Sequence, residues 1–232
     1  MASPYIFAET LSYAVLYKPP HLHSVPLKRD TAYTLLDWYA ETFPSIREVQ
    51  GRNPWEGGIV HRLDYETKGL VLAAKTQAFL DHILVQQERG FFIKEYCSIT
   101  KDTKGTSIDK FPASVESAFS PFGPGRRMVK PVLKPFPKNK DICLDQGRYY
   151  CTKIIESVNR RDGTICFHLQ IKRGFRHQIR CHLAWIGFPI VNDSLYGVPY
   201  SVQRGELALT AEAFSFFEKD GTLIRHTIRA SQ

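Results

Sequence analysis

Short apolar runs closed by proline, glycine and Asx residues recur along this chain, at residues 13–17, 69–74, 93–100, 113–119, 149–158 and 164–171. Runs of that length suit β-strands, and the turn residues between them keep any two from merging into one long helix. Lys18-Pro19-Pro20 closes the first, because proline cannot continue a ladder and restricts the residue before it. Asp162-Gly163 between the last two is a hairpin signal. Only three stretches carry helical spacing. In the first, with Asp30 or Thr31 as N-cap, Ala32, Leu35, Leu36, Tyr39 and Phe43 recur until Pro44. The second covers residues 76–89, with Phe79, Leu80, Ile83 and Leu84 as its buried stripe and Gly90 at the C-cap. The third starts at Arg176 or His177 and ends at Ile186, with Gly187 as its stop. Many strands and few helices predict an α+β domain: a mixed, largely antiparallel central sheet flanked by helices and loops.

At 232 residues the chain can bury a core without staples, and the expectation is one catalytic domain over 1–232. The opening ten residues lack a basic and then apolar leader pattern, and no apolar run has the roughly 18 residues a membrane helix needs. A cytoplasmic protein with no membrane partner is expected. Five cysteines, Cys97, Cys143, Cys151, Cys166 and Cys181, form no C-x-x-C pair and read as buried free thiols. His177 and Cys181 are spaced i, i+4, but no third ligand is placed by sequence, so no metal is assigned there.

Thirty-one Lys and Arg against 23 Asp and Glu leave a net charge of +8, which favours a polyanionic partner only where the cations cluster. Residues 117–140 hold five prolines, six basic residues (Arg126, Arg127, Lys130, Lys134, Lys138, Lys140) and no acid. They read as a basic loop, either a solvated connection or an arm that lies on phosphates, with Phe122 and Phe136 able to stack on bases.

Two stretches carry chemistry. In Gly57-Gly58-Ile59-Val60-His61-Arg62-Leu63-Asp64, extended backbone would set Arg62 and Asp64 side by side. A close cation keeps Asp64 ionised, as a nucleophile or charge stabiliser requires. From the residues alone, a structural ion pair is the commoner reading. In Arg173-Gly174-Phe175-Arg176-His177-Gln178-Ile179-Arg180, cations crowd the start of a helix, where the macrodipole is already positive. Such a start favours an arriving phosphate or carboxylate.

These stretches resemble the RluA-type pseudouridine synthases. The likeness runs from Leu16-Tyr17-Lys18-Pro19-Pro20 through residues 57–64 and Glu66-Thr67-Lys68-Gly69-Leu70 to Ile93-Lys94-Glu95-Tyr96. It continues through Arg126-Arg127-Met128, His177-Gln178-Ile179-Arg180 and Gly187-Phe188-Pro189-Ile190-Val191-Asn192-Asp193 to Tyr196-Gly197. The resemblance implies an enzyme that isomerises uridine to pseudouridine in rRNA or tRNA without cofactor or metal. It implies Asp64 as catalytic carboxylate, Tyr96 as the ring against the target base, and Arg180 as the basic partner of the aspartate. His61, Arg62, Lys94, Arg126, Arg127, Arg173, Arg176, His177 and Gln178 are the expected RNA contacts, with Arg62 bracing the flipped nucleotide. A monomer without protein partner and without a separate N-terminal RNA-binding domain is expected.

Gly174-Phe175-Arg176 departs from the family's Gly-Arg-Thr or Gly-Arg-Ser, and no binding role is carried to Phe188 or Thr210, where histidine is usual. Two other readings remain at this level. A glycosylase would release the base instead of reattaching it, and a non-catalytic RNA-binding module of the same fold would do neither.

Overall fold

Strand-length runs need partners, and here they find them in two separate sets. The computed structural model describes residues 2–27, 33–105, 112–134, 145, 148–197 and 205–228. The chain divides into two compact units, one made of residues 1–95 and 210–232 and the other of residues 96–209. Among the described residues are ten strands, largely antiparallel, and three α-helices, the α+β class expected.

In the first unit, β1 (Tyr5–Glu9), β2 (Tyr13–Lys18) and β3 (Lys68–Ala74) form an antiparallel set. β9 (Leu209–Phe217) joins β3 in parallel, and β10 (Leu223–Thr227) returns along β9. β3 is buried along nearly its whole length, which is why it reads as a continuous apolar run. Helix α1 (Leu35–Thr42) starts later than expected, because Thr34 and Asp37 form a capping box: each side chain accepts the other's backbone N–H. Asp30, Thr31 and Ala32 lie outside the described residues. Helix α2 (Gln77–Arg89) has Thr76 as N-cap and left-handed Gly90 at its end, as expected. Phe79, Leu80 and Ile83 pack into one core with Tyr13, Val15, Leu72, Phe92, Phe214 and Phe216.

The second unit is built on β4 (Ile93–Thr100, whose first residues belong to the first unit), β5 (Ser114–Phe122), β6 (Met128–Val132), β7 (Tyr150–Asn159) and β8 (Ile165–Ile171). Their order is β4-β8-β7-β5-β6. Helix α3 (Gln178–Ile186) ends at left-handed Gly187. Phe119, Val129, Tyr150 and Cys181 form a core against which Phe175 and Tyr196 pack.

The basic segment 117–140 is not a loop in its described part. It is the β5–β6 hairpin, registered Ala118 with Val132 and Phe122 with Met128. Its prolines misled the reading for a positional reason: Pro131 lies on β6, the outermost strand, and Pro121 lies beyond Ser117, the last residue of β5 paired to β7. Phe136, Lys138 and Lys140 lie outside the described residues, as does Cys143. Of the four described cysteines only Cys181 is buried; Cys97 and Cys166 are half-buried and Cys151 is exposed, which corrects the expectation of uniformly buried thiols.

The β3–β9 contact depends on Gly69. Its φ is +128°, and a Cβ there would lie 2.1 Å from the carbonyl oxygen of Ala211. Gly69→Ala should cost more than about 3 kcal/mol of stability, combining backbone strain with displacement of a buried strand. Urea denaturation of wild type and variant measures this; equal midpoints would show that β9 yields without cost.

Candidate active site

Residues 58–60 run along β3: Val60 N–H donates to Leu72 O at 3.0 Å and Ala74 N–H to Gly58 O at 2.7 Å. Gly58 has no room for a side chain, since a Cβ would meet Ala74 O at 2.0 Å. After Val60 the chain leaves the strand, and residues 61–64 are irregular. Leu63 is tied down by Ser24, whose Oγ accepts the Leu63 N–H at 3.0 Å and donates to Leu63 O at 3.3 Å. Asp64 follows on a turn closed by the Thr67 N–H donating to its carbonyl at 3.0 Å.

A buried cation whose charge interacts with that of Asp64 is Lys18. Its buried Nζ donates to Pro19 O and Leu22 O at 2.8 Å and to Tyr65 O at 3.3 Å. Three carbonyls match the three N–H donors of an ammonium. Burial pulls the amine down to about 7, and the negative charge of Asp64 works against that fall. Arg62 does not take the place beside Asp64 that extended backbone would have given it. Its guanidinium donates to Glu56 Oε1 at 3.1 Å, and its side chain is exposed.

Of the residues assigned from sequence to RNA contact, Lys94 is buried in the first unit and His61 is half-buried against its core. The His61 ring lies 5.3 Å from that of Phe92 and 5.8 Å from that of Phe214. Burial first, then the charge of Lys94, pushes the imidazole down to about 3, while a hydrogen bond with the Leu70 backbone opposes the fall. Lys94 is buried on β4 and pulled down to about 8 by desolvation, with Arg52 adding repulsion. Tyr65, next to Asp64, is exposed, with its ring 4.7 Å from that of His23 and 5.5 Å from that of His21. The sequence reading missed Lys18, Ser24 and this aromatic group. An exposed aromatic adjoining the Asp64 motif was the available signal.

In the second unit, Tyr96 is buried on β4, whose residues alternate strictly between buried and half-buried. Arg180, in the first turn of α3, is 1% exposed. Its Nε and Nη2 donate to Asp193 Oδ2 and Oδ1, both at 2.8 Å, and Asp193 also accepts the N–H groups of Leu195 and Tyr196. The bidentate partner of Arg180 in this unit is therefore Asp193. Gln178 is spent internally: Oε1 accepts the Phe175 N–H, and Nε2 donates to Cys151 O and Thr152 Oγ1. His177 holds a left-handed backbone at the start of α3, with Nδ1 3.2 Å from the Tyr196 hydroxyl, which in turn accepts the Val129 N–H. Arg176 reaches back to the hairpin tip, donating to Arg126 O at 3.1 Å. Arg126, Arg127, Lys130, Arg173 and Arg176 all remain exposed in this unit.

A family described as RNA pseudouridylate synthase matches residues 12–185, and the chain belongs to that family. It is similar to an uncharacterized RNA pseudouridine synthase of Helicobacter pylori, 26% identical over 86% of this chain and 57% of the relative. It is also similar to the ribosomal large subunit pseudouridine synthase D of Haemophilus ducreyi, 28% identical over 79% of this chain and 49% of the relative. The chain thus spans about half the length of the curated relatives it matches. Among solved structures, human RNA pseudouridylate synthase domain containing 1 shares the fold, with a TM-score of 0.68, 16% identity and coverage of 98% of this chain and 83% of that one. Human RNA pseudouridylate synthase domain containing 4 does so with a TM-score of 0.66, 15% identity and coverage of 97% and 87%.

The packing of His61 against Phe92 and Phe214 has a pH consequence. The unfolded chain protonates this ring near 6.5 while the folded protein holds it neutral down to about 3. In that window the unfolded state binds more protons, so stability falls as pH falls. The stability difference between wild type and His61→Phe should slope by up to about 1.4 kcal/mol per pH unit. Urea titrations at a series of pH values below 6.5 measure it; a flat difference would mean the ring protonates in place without penalty.

Proposed function

We propose that this protein isomerises uridine to pseudouridine in structured RNA. The observation that carries the reading is Asp64, held on a turn that follows Leu63, itself clamped by Ser24, within the most specific stretch of the family's pattern. Glycosidic cleavage needs a carboxylate beside C1′, to form an adduct or to stabilise cationic character on the sugar. The bond from N1 to C1′ breaks, a new one forms from C5 to C1′, the C5 proton is lost and N1 takes up a proton in its place, so mass is unchanged. On this reading Asp64 is the carboxylate, Tyr96 packs against the base and accepts the C5 proton, and Arg180 is a positive partner for the reaction. Arg180 is itself oriented by Asp193. No cofactor or metal takes part in this step.

The uridine must leave its stack, at a cost of a few kcal/mol that contacts elsewhere offset. Exposed Arg62 braces the flipped nucleotide, and Arg126, Arg127, Arg173 and Arg176 hold phosphates. The protein works as a cytoplasmic monomer in which 1–232 serves as one catalytic domain. Among the described residues no helix is long and apolar enough to cross a membrane. The name of the Haemophilus relative makes large-subunit rRNA the first substrate to try, ahead of tRNA.

Tritium release from RNA labelled at uridine C5, taken from cells lacking the protein, tests the reading. Wild type should release tritium with no change of RNA mass, and Asp64→Ala should be slower by at least about a thousandfold. Free uracil in the supernatant would instead identify a glycosylase, and RNA binding without release a non-catalytic module. Arg173→Ala and Arg176→Ala should each weaken RNA binding across sequences and reduce the salt slope by about one. Arg62→Ala should slow turnover on folded RNA more than on unstructured RNA; equal rates on both would remove its bracing role.

A further inference from the structure

We propose that Cys97, Cys166 and His168 form a binding site for a thiophilic closed-shell cation of the zinc class, independent of the isomerisation. Cys97 lies on β4, and Cys166 and His168 lie two residues apart on β8, the strand next to it. Strand alternation sends all three side chains to one face of this sheet, the half-buried face, while Tyr96, Ser98, Ile165 and Phe167 go to the buried one. The two sulfurs are 3.3 Å apart, Cys166 Sγ is 3.8 Å from His168 Nε2, and the three donor atoms lie within 4.8 Å of one another.

The 3.3 Å and 3.8 Å separations lie within about 0.5 Å of what a zinc ion imposes. Zn–S bonds of about 2.3 Å and Zn–N bonds of about 2.0 Å give tetrahedral donor–donor edges of about 3.5–3.8 Å. The sheet holds the three donors in advance, so little ordering cost falls on the bound state. Two thiols and an imidazole are soft to borderline ligands, suited to Zn²⁺ and poorly suited to Mg²⁺ or Ca²⁺. On binding, the two thiols lose their protons to solvent, two sulfur–metal bonds and one nitrogen–metal bond form, and no oxidation occurs. Three protein ligands leave the fourth position to water or an external donor, as in a site that exchanges its metal. Cys97 directly follows Tyr96, so occupancy joins β4 to β8 at the residue after the proposed base-packing ring.

Cobalt(II) titration of the reduced, chelator-treated full chain under nitrogen is the test, followed by zinc displacement. A thiolate-to-cobalt charge-transfer band should saturate at one ion per chain, vanish on adding one equivalent of Zn²⁺, and accompany a rise in melting temperature. Cys97→Ser, Cys166→Ser and His168→Gln should each weaken binding by at least about tenfold, while Cys151→Ser should not. Where a serine variant loses its circular dichroism spectrum, Cys97→Ala and Cys166→Val give the same reading. Absence of the band, or a band that survives all three ligand substitutions, would overturn the proposal. So would a Cys97–Cys166 disulfide that forms in air despite stoichiometric Zn²⁺, because the pair would then be a redox couple.

Discussion

A buried ammonium organises the first unit. Taking Lys18 out of water costs several kcal/mol unless its donors are met, and the chain meets them with carbonyls from three places, residues 19, 22 and 65. The turn after Asp64 and the Pro19-Pro20 corner are therefore fixed by one charge, which also interacts with the charge of Asp64. Replacing such a group leaves carbonyls unpaired in the interior, each at a cost of about 1–3 kcal/mol, so the segment has little freedom to drift.

The second unit repeats the device with a different chemistry. Arg180 has its charge met by a carboxylate held in turn by two backbone N–H groups, and the fork geometry fixes direction as well as distance. Removing either partner of so buried a pair typically costs about 3–5 kcal/mol, because the survivor is left uncompensated. The crowding of cations at the start of α3 is thus less hostile than it looks in sequence: the one that is buried is neutralised, and the exposed ones are solvated.

Much of the fold could be read directly. Strand β4 falls on the residues expected, α2 and α3 lie within two, and Gly90 and Gly187 stop their helices because only a left-handed backbone fits there. Strands β1, β6, β9 and β10 were not read: β1, β6 and β10 carry mixed exposure, the β5–β6 hairpin hid behind its prolines, and β9, almost wholly buried, lacks the alternation that marks a strand. Asp64 was legible because its surroundings form a contiguous pattern. Lys18 was not, since its meaning lies in carbonyls up to 47 positions away. His61, Lys94 and Gln178 look like RNA ligands in a basic sequence; in the fold Lys94 and Gln178 are buried and His61 is half-buried against Phe92. Cys97 and Cys166 stand 69 residues apart and resemble no spacing pattern until two strands pair.

The first unit is discontinuous in the chain, and that bears on how it is made. Strand β3 acquires β9 only through the register of Lys68 with Thr210 and Gly69 with Ala211, so that neighbour emerges from the ribosome after the whole continuous second unit. Until then the start of β3, beyond the reach of residues 58–60, lacks this partner, and an unpaired apolar edge is the kind of surface that other nascent chains join. The second unit, whose contacts span a single stretch of chain, has no such wait. Synthesis order thus gives the half that carries Asp64 the longer exposure to chaperones, although its helices and hairpin are translated first.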